Sequence, residues 1–518
     1  MNLGYVIRNA VARFSHHVAA YDETRQFTFG QLNARANGLG NALARLGIRH
    51  QDRIASLQYN GVETLEFDVM AAKFGYVRAL LNARNSVAEN IDALNLVRAR
   101  ALVFGVEFAD QIEEIRRSVP TLCAFACVGG STPAAEEYET LLARASANEP
   151  GYAVTEADWH SIYFTSGTTG KPKGIVLSQA NWLAVVRNHL IDTYATSGPS
   201  DILLHAAPMS HATGSLILAH LVRGARQTFV RRFDALEVLE KFRRDRVTTI
   251  WLAPTMWSKM VDEIDRGGAD LSSARSIRFG GGPIPVHRLR DAVERWGPVF
   301  CSGWGQWEAP QQCTVFSQRD VAAAAADKDG LRIGSAGRPM TYCKVGIADD
   351  DNRLLPHGES GEVVVAGDHL MVGYLDQPEE TASLRFGEWQ RTGDIGHLDA
   401  DGYLYLTDRK RDVIRSGASN VFPRHVEEIL YAHPAILEAA AVGVPDETWG
   451  ESVHVVVVLR ENATLDAEVL LAWCRERLPS NKRPRSVDFV AELPKNTYGK
   501  ILRRDVRGWY WKSDNKIV

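Results

Sequence analysis

Short apolar runs alternate with segments of helical spacing over roughly the first 400 residues. The run IASL near Ile54 predicts a strand, and residues 62–74 predict a helix. ILLHAAP, starting at Ile202, predicts a strand running into a loop. Residues 234–244 predict a helix with Asp234 as its N-cap. TTIWLAP and SIRFGGG follow as strands, the second ending in a glycine turn. Repeated strand–helix units of this kind predict an α/β body of mostly parallel sheets covered by helices. In such sheets ligands sit beyond the strand C-termini, where several polar and glycine-rich clusters fall.

The pattern changes near Asp408. LYLTDRKRDVIRSGASNVFP passes from apolar strand to charged turn to glycine-containing loop. A helix over 425–432, the β-run SVHVVVVL, a helix over 467–478 and the short strand VDFVAEL follow. This predicts a small α+β lobe, with a division into 1–411 and 412–518 and a hinge at Arg411. The alanine run 322–326 reads as a surface segment without chemistry.

Composition narrows the class. The chain has 518 residues, too many for one small core. Its 45% apolar and 24% charged content is that of a soluble globular protein. A net charge of -4 gives no footprint for nucleic acid. The six cysteines are scattered without a CxxC pair, which suits a reducing cytoplasm. Arg8 and Arg13 interrupt the N-terminal stretch, so it does not read as a secretion signal. No apolar run reaches the roughly 18 residues of a membrane span.

The densest chemical signal is YFTSGTTGKPKG, residues 163–174. Thr165, Ser166, Thr168 and Thr169 supply hydroxyls among Gly167, Gly170 and Gly174, with Lys171 and Lys173 alongside. Glycines let backbone N–H groups approach phosphate oxygens, hydroxyls add donors, and lysine adds charge. Pro172 stands where a Walker loop needs a metal-binding hydroxyl, so this is not that loop.

The segment resembles the signature phosphate loop of the adenylate-forming superfamily of acyl-CoA synthetases, adenylation domains and luciferases. The resemblance runs along nearly the whole chain, with further motifs in the family's order. It implies that a carboxylate attacks the α-phosphate of ATP, giving acyl-AMP and pyrophosphate, and that the thiol of coenzyme A then displaces AMP.

By the same resemblance, His211 in HAAPMSHATGS lies between acyl pocket and nucleotide. Relatives that activate amino acids carry an aspartate in this region. None occurs between Pro208 and Ser215, which disfavours an amino-acid substrate. Gly281 and Gly282 in GGGPIP match a turn near adenine and acyl group. In GWGQWEAP, Trp304 matches the aromatic on adenine, Gly305 follows it, and Glu308 matches the acid that holds Mg2+ on the phosphates. Asp394 in TGD and Arg409 in DRKRD match the ribose ligands. Arg411 matches the hinge on which the small lobe rotates between half-reactions. Gly417 lies in SGASNVFP, similar to a loop at the coenzyme A channel, although Ala418 and Ser419 depart from the usual glycine–glutamate pattern. Lys500 in PKNTYGKILRR matches the lysine that contacts carboxylate and α-phosphate during adenylation.

One departure bears on mechanism. Before the glutamate the family nearly always has threonine, whose hydroxyl contacts the α-phosphate; this chain has Trp307. An indole offers one donor and far more bulk. It either turns into the core or crowds ATP, leaving only the thioester-forming half-reaction on acyl-AMP supplied by a separate adenylating enzyme. In that form the chain is similar to the non-adenylating acyl-CoA ligase of platensimycin-type diterpenoid antibiotic pathways. A catalytically inactive acyl-adenylate-binding protein and a carrier-protein-loading enzyme are the alternatives. A homodimer and the identity of the acid are left open.

Overall fold

The computed structural model describes all of the chain except residues 152, 167–171, 283, 285, 311, 328–329, 331, 418, 496–500 and 512–518. The chain divides into two compact units, Met1–Val345 with Val365–Gln390, and Gly346–Val364 with Arg391–Val518. The first is the large α/β body.

Two sheets organise the first unit. One runs in the order Phe300–Ser302, Ser276–Phe279, Thr249–Leu252, Ile202–His205, Arg226–Phe229, Val18–Tyr21 and Gln26–Thr28. All its pairings are parallel except the last. The other carries Arg53–Leu57, Val77–Leu80, Ala101–Gly105 and Ala124–Val128 in parallel, with Trp159–Ser166 beside Val77–Leu80. The antiparallel Pro172–Ser178 continues it.

Helices fill the body, and the sequence pattern placed several of them. Val62–Phe74 is a helix over the expected span, buried along its whole length, including Glu63, Glu66, Asp68 and Lys73. Burial on every face explains why its apolar pattern shows no one-sided stripe. Ala235–Asp245 begins at Asp234, whose carboxylate accepts from the Glu237 amide at 2.9 Å, the cap that the sequence predicts. The alanine run closes the helix Gln318–Ala326, which buries Val321 and Ala324. The run itself stays at the surface, with Ala323 and Ala326 exposed and Ala324 turned inward, and it is helical because alanine favours helix.

The second unit carries its own core. Ile436–Asp446 and Gly450–Leu459 pair antiparallel, and Ser486–Phe489 adds in parallel. Pro423–Tyr431 and Ala467–Arg477 pack on this sheet around Val426, Leu430, Val455, Leu470 and Cys474. Among the described residues no helix is long and apolar enough to cross a membrane.

Candidate active site

Thr165 and Ser166 end the strand Trp159–Ser166, and the chain returns as Pro172–Ser178, with Thr165 opposite Lys173. Thr165 and Lys173 therefore sit on paired antiparallel strands, and it is a strand, not the helix of a Walker loop, that follows. Gly167, Thr168, Thr169, Gly170 and Lys171 lie outside the described residues. Lys173 ion-pairs with Glu380 and lies 5.2 Å from the Tyr374 ring centroid.

His211 lies on the loop after Ile202–His205. Asn60 pins that loop: its amide donates to the carbonyls of His205, Ala207 and Val230 at 2.9–3.2 Å, and its oxygen accepts from the Met209 amide at 2.8 Å. At Gly214 a Cβ would meet the Met209 carbonyl oxygen at 2.0 Å, so the turn that aims His211 requires glycine. Burial pushes the His211 pKa down to about 4, leaving a neutral imidazole at physiological pH.

Trp307 meets this histidine. Its ring stacks on Tyr163 at 3.7 Å and 10°, and His211 stands against it at 5.2 Å and 67°. Trp307 is half-buried and packs against the main core. Beneath it, the Tyr163 hydroxyl accepts from Arg78 at 2.9 Å, and Arg78 is paired with Asp68 at 2.7 Å. Such an aromatic pair adds about 0.5–1.5 kcal/mol beyond the area it buries. Trp307 is thus held between Tyr163, on the strand Trp159–Ser166, and His211.

Glu308 is oriented by the Tyr374 hydroxyl, which donates to its Oε1 at 3.0 Å. Its backbone carbonyl accepts from the Met371 amide and the Gln390 side chain. One held carboxylate suits Mg2+, which binds through one or two carboxylates plus phosphates and keeps several waters. Trp304 is buried, 8% exposed, with Gly305 exposed behind it. Gly281 and Gly282 are exposed beyond Ser276–Phe279, Gly281 at φ +80°.

In the second unit, Arg409 Nε donates to Asp394 Oδ1 at 2.9 Å, the two residues facing each other across the hairpin of Trp389–Leu398 and Leu404–Arg409. Arg411 is exposed in the short turn Lys410–Asp412. Gly417 has φ +59°, and a Cβ there would lie 2.8 Å from the Trp449 ring. Lys500 lies outside the described residues.

The AMP-binding enzyme model matches residues 7–375, and the model of the AMP-binding enzyme C-terminal domain matches 425–500. The chain belongs to the AMP-binding enzyme family. This AMP-binding enzyme is 35% identical to a feruloyl-CoA synthase of Amycolatopsis sp, over 96% of each chain. Among solved structures it is similar to the amide bond synthetase McbA of Marinactinospora thermotolerans, with TM-score 0.87, 30% identity, and 99% and 100% of the two chains covered. It is also similar to an o-succinylbenzoate CoA synthetase of Bacillus subtilis in complex with its acyl-adenylate intermediate, with TM-score 0.85, 27% identity and 97% of each chain covered. Its relatives are acyl-CoA synthetases and ligases of the adenylate-forming superfamily, which handle ATP, acyl-AMP and coenzyme A.

The AMP-binding enzyme brings Thr165, His211, Trp307 and Glu308 onto the first unit, and Asp394, Arg409, Arg411 and Gly417 onto the second. Sequence reasoning missed Asn60, Arg78, Tyr163, Tyr374 and Trp449. Arg78 carried a signal: a lone arginine inside the apolar run YVRALL needs a buried partner. Trp449 is a 43% exposed indole against Gly417, with Arg485 over its ring at 4.9 Å.

Proposed function

We propose that the enzyme forms the coenzyme A thioester of a non-amino-acid carboxylic acid through acyl-AMP, and that Trp307 weakens adenylation so that thioester formation from acyl-AMP is its efficient half-reaction. The observation that carries this reading is the placement of Trp307, stacked on Tyr163 with His211 at its ring. An indole there supplies no hydroxyl to an α-phosphate and fills volume beside the loop that would hold it.

In adenylation, a carboxylate oxygen bonds to the α-phosphorus as pyrophosphate leaves. Thr165, Ser166 and the following loop would stabilise the phosphoryl oxygens, Lys500 the charge developing between carboxylate and phosphate, and Glu308 would hold Mg2+ on the phosphates. Trp304 and the Gly281–Gly282 turn would border adenine, while Asp394 and Arg409 would bind ribose. In the second step the sulfur attacks the acyl carbon, the bond to AMP breaks, and the thiol proton passes to solvent. Neutral His211 adds no charge to compete with the phosphate. Rotation about Arg411, between 1–411 and 412–518, would exchange Lys500 for the Gly417 loop.

A cleft of about 150 Å³ in the first unit, lined among others by Met209, Ser210, Arg84, Arg231 and Arg232, reaches the residues that precede His211 in the chain and would suit thiol entry. Arginines of this kind suit the phosphates of coenzyme A.

Synthetic acyl-AMP with coenzyme A and no ATP should give thioester faster than free acid with ATP. Rapid ATP–pyrophosphate exchange with the cognate acid would remove the impairment. No thioester from any acyl-AMP would favour an inert binding protein. The likeness to an amide bond synthetase favours one second reading, capture of the acyl group by an amine. Replacing coenzyme A with primary amines in the same assay decides between the acceptors.

A further inference from the structure

The strand Ser276–Phe279 leads into the Gly280 turn with every residue buried. Phe279 faces an aromatic group of Trp257 and Phe300, at 5.6 and 5.7 Å. Successive side chains alternate faces, so Arg278 projects to the other side. There it is fully buried, 0% exposed. Its Nη1 reaches the Tyr194 hydroxyl at 3.5 Å, while Nε and Nη2 find no hydrogen-bond partner. No carboxylate ion-pairs with Arg278 among the described residues. Arginine does not lose its proton in proteins, and a buried charge without a counter-charge is unfavourable.

A nearby carboxylate, Asp201, acts on His220 but is ion-paired with Arg275 at 3.0 Å, and the rings around Arg278 carry no negative charge. Tyr194 lies 4.4 Å from the His220 ring and 5.6 Å from the His189 ring. Both nitrogens of His189 and Nε2 of His220 are likewise without partners. Burial, with Arg278 nearby, holds both histidines neutral.

This polar group closes the far end of an apolar wall. Tyr194, Ala207, Ala212, Leu216, Ala219 and Trp251 form one cluster. Ala212 follows His211 in the chain, and Trp251 is in register with Arg278 on the adjacent strand. The Trp251 indole lies on Gly280, where a Cβ would be 2.8 Å from the ring. The cluster therefore runs from the expected reaction centre to the guanidinium.

We propose that Arg278 is a specificity-determining residue that receives a carboxylate at the distal end of the acyl group, so that the acid is a dicarboxylic acid activated at one end only. Nε and Nη2 form the edge of a guanidinium that grips a carboxylate with two parallel hydrogen bonds, and they are the two nitrogens without a hydrogen-bond partner, so buried that the carboxylate must displace the side chains packed over them. Tyr194 borders the same place. This rests on the acyl-adenylate reading above.

The test uses the full chain and hydrolysis-resistant acyl-sulfamoyl adenosines. These would be made from aromatic and aliphatic diacids of graded length, and from the matching acids with methyl in place of the distal carboxylate. Calorimetry should find one length at which the diacid mimic binds roughly tenfold to hundredfold tighter than its methyl counterpart, the effect of a charge-assisted hydrogen-bonded pair. Arg278→Met should abolish that preference and Arg278→Lys retain part of it. Should Arg278→Met fail to fold, the preference of the unaltered enzyme and its reduction in Tyr194→Phe carry the decision. If no mimic of either kind binds, the acyl-adenylate reading fails. If methyl mimics bind as well as diacid mimics at every length, that reading stands and the role of Arg278 is overturned.

Discussion

Trp307 is a single side chain with two separable effects. It packs against Tyr163 and the main core, so replacing it should cost stability. It also removes a hydroxyl from an expected phosphate contact. Trp307→Thr should therefore lower stability by about 2–3 kcal/mol, since a large half-buried ring is lost. The same change should raise ATP–pyrophosphate exchange by roughly tenfold or more, because one correctly placed donor is worth at least that in comparable sites. Thioester formation from supplied acyl-AMP should change much less. Exchange no faster in the variant, with thioester formation intact, would mean that the indole does not limit adenylation. At this scale the sequence showed which residue was unusual, since a bulky ring interrupts a phosphate-contacting motif. It could not show what the ring touches, because the Tyr163 and His211 contacts come from three separate segments.

The segment Asp408–Asp412 behaves as an element anchored by charge. Arg503 donates to Glu427 at 2.7 Å and lies 3.2 Å from Asp408 and 3.4 Å from Asp412. The Asp408 carboxylate also accepts from the amides of Arg409 and Arg424, both at 2.8 Å. One arginine thus ties the turn bearing Arg411 to the helices Pro423–Tyr431 and Arg503–Gly508. Arg503→Met should destabilise the second unit by about 3–5 kcal/mol, the usual result of leaving buried carboxylates without their cation. Burial already raises the Asp408 pKa, so Asp408→Asn in that background should recover part of the loss. A urea midpoint unchanged by Arg503→Met would show that the network contributes little. The sequence marked this region through its dense charge. Which charge holds which was not legible, because Arg503 stands 76 to 95 residues from its partners, beyond any local spacing rule.

Across the molecule, the α/β order was legible because strand and helix periods differ, and Val62–Phe74 and the Asp234 cap followed from it. The buried polar groups were not, since burial depends on the stacking of distant elements, and they set the response to acid. Burial lowers the pKa of His205, His211, His220 and His369 to about 4, and those of His160 and His189 well below 6.5. A lowered histidine pKa means that between the folded and unfolded values the unfolded chain binds the extra proton, so stability is full above about pH 6.5 and falls as pH drops below it. Burial also raises Glu66 to about 7 and Asp68 to about 6, so those two take protons in the folded state and work in the opposite direction. Burial raises Glu237 and Asp408 as well, so the carboxylates offset part of the histidine effect, and unfolding near pH 5 should on balance take up protons. Calorimetry near that pH, in buffers of different ionisation enthalpy, should read this uptake directly. A melting temperature that stays level from about pH 7.5 to 5 would contradict it. The histidine beside Trp307 belongs to this set, so thioester formation from acyl-AMP should show no inflection near pH 6.5 from His211, and its acid limit should instead follow the loss of fold.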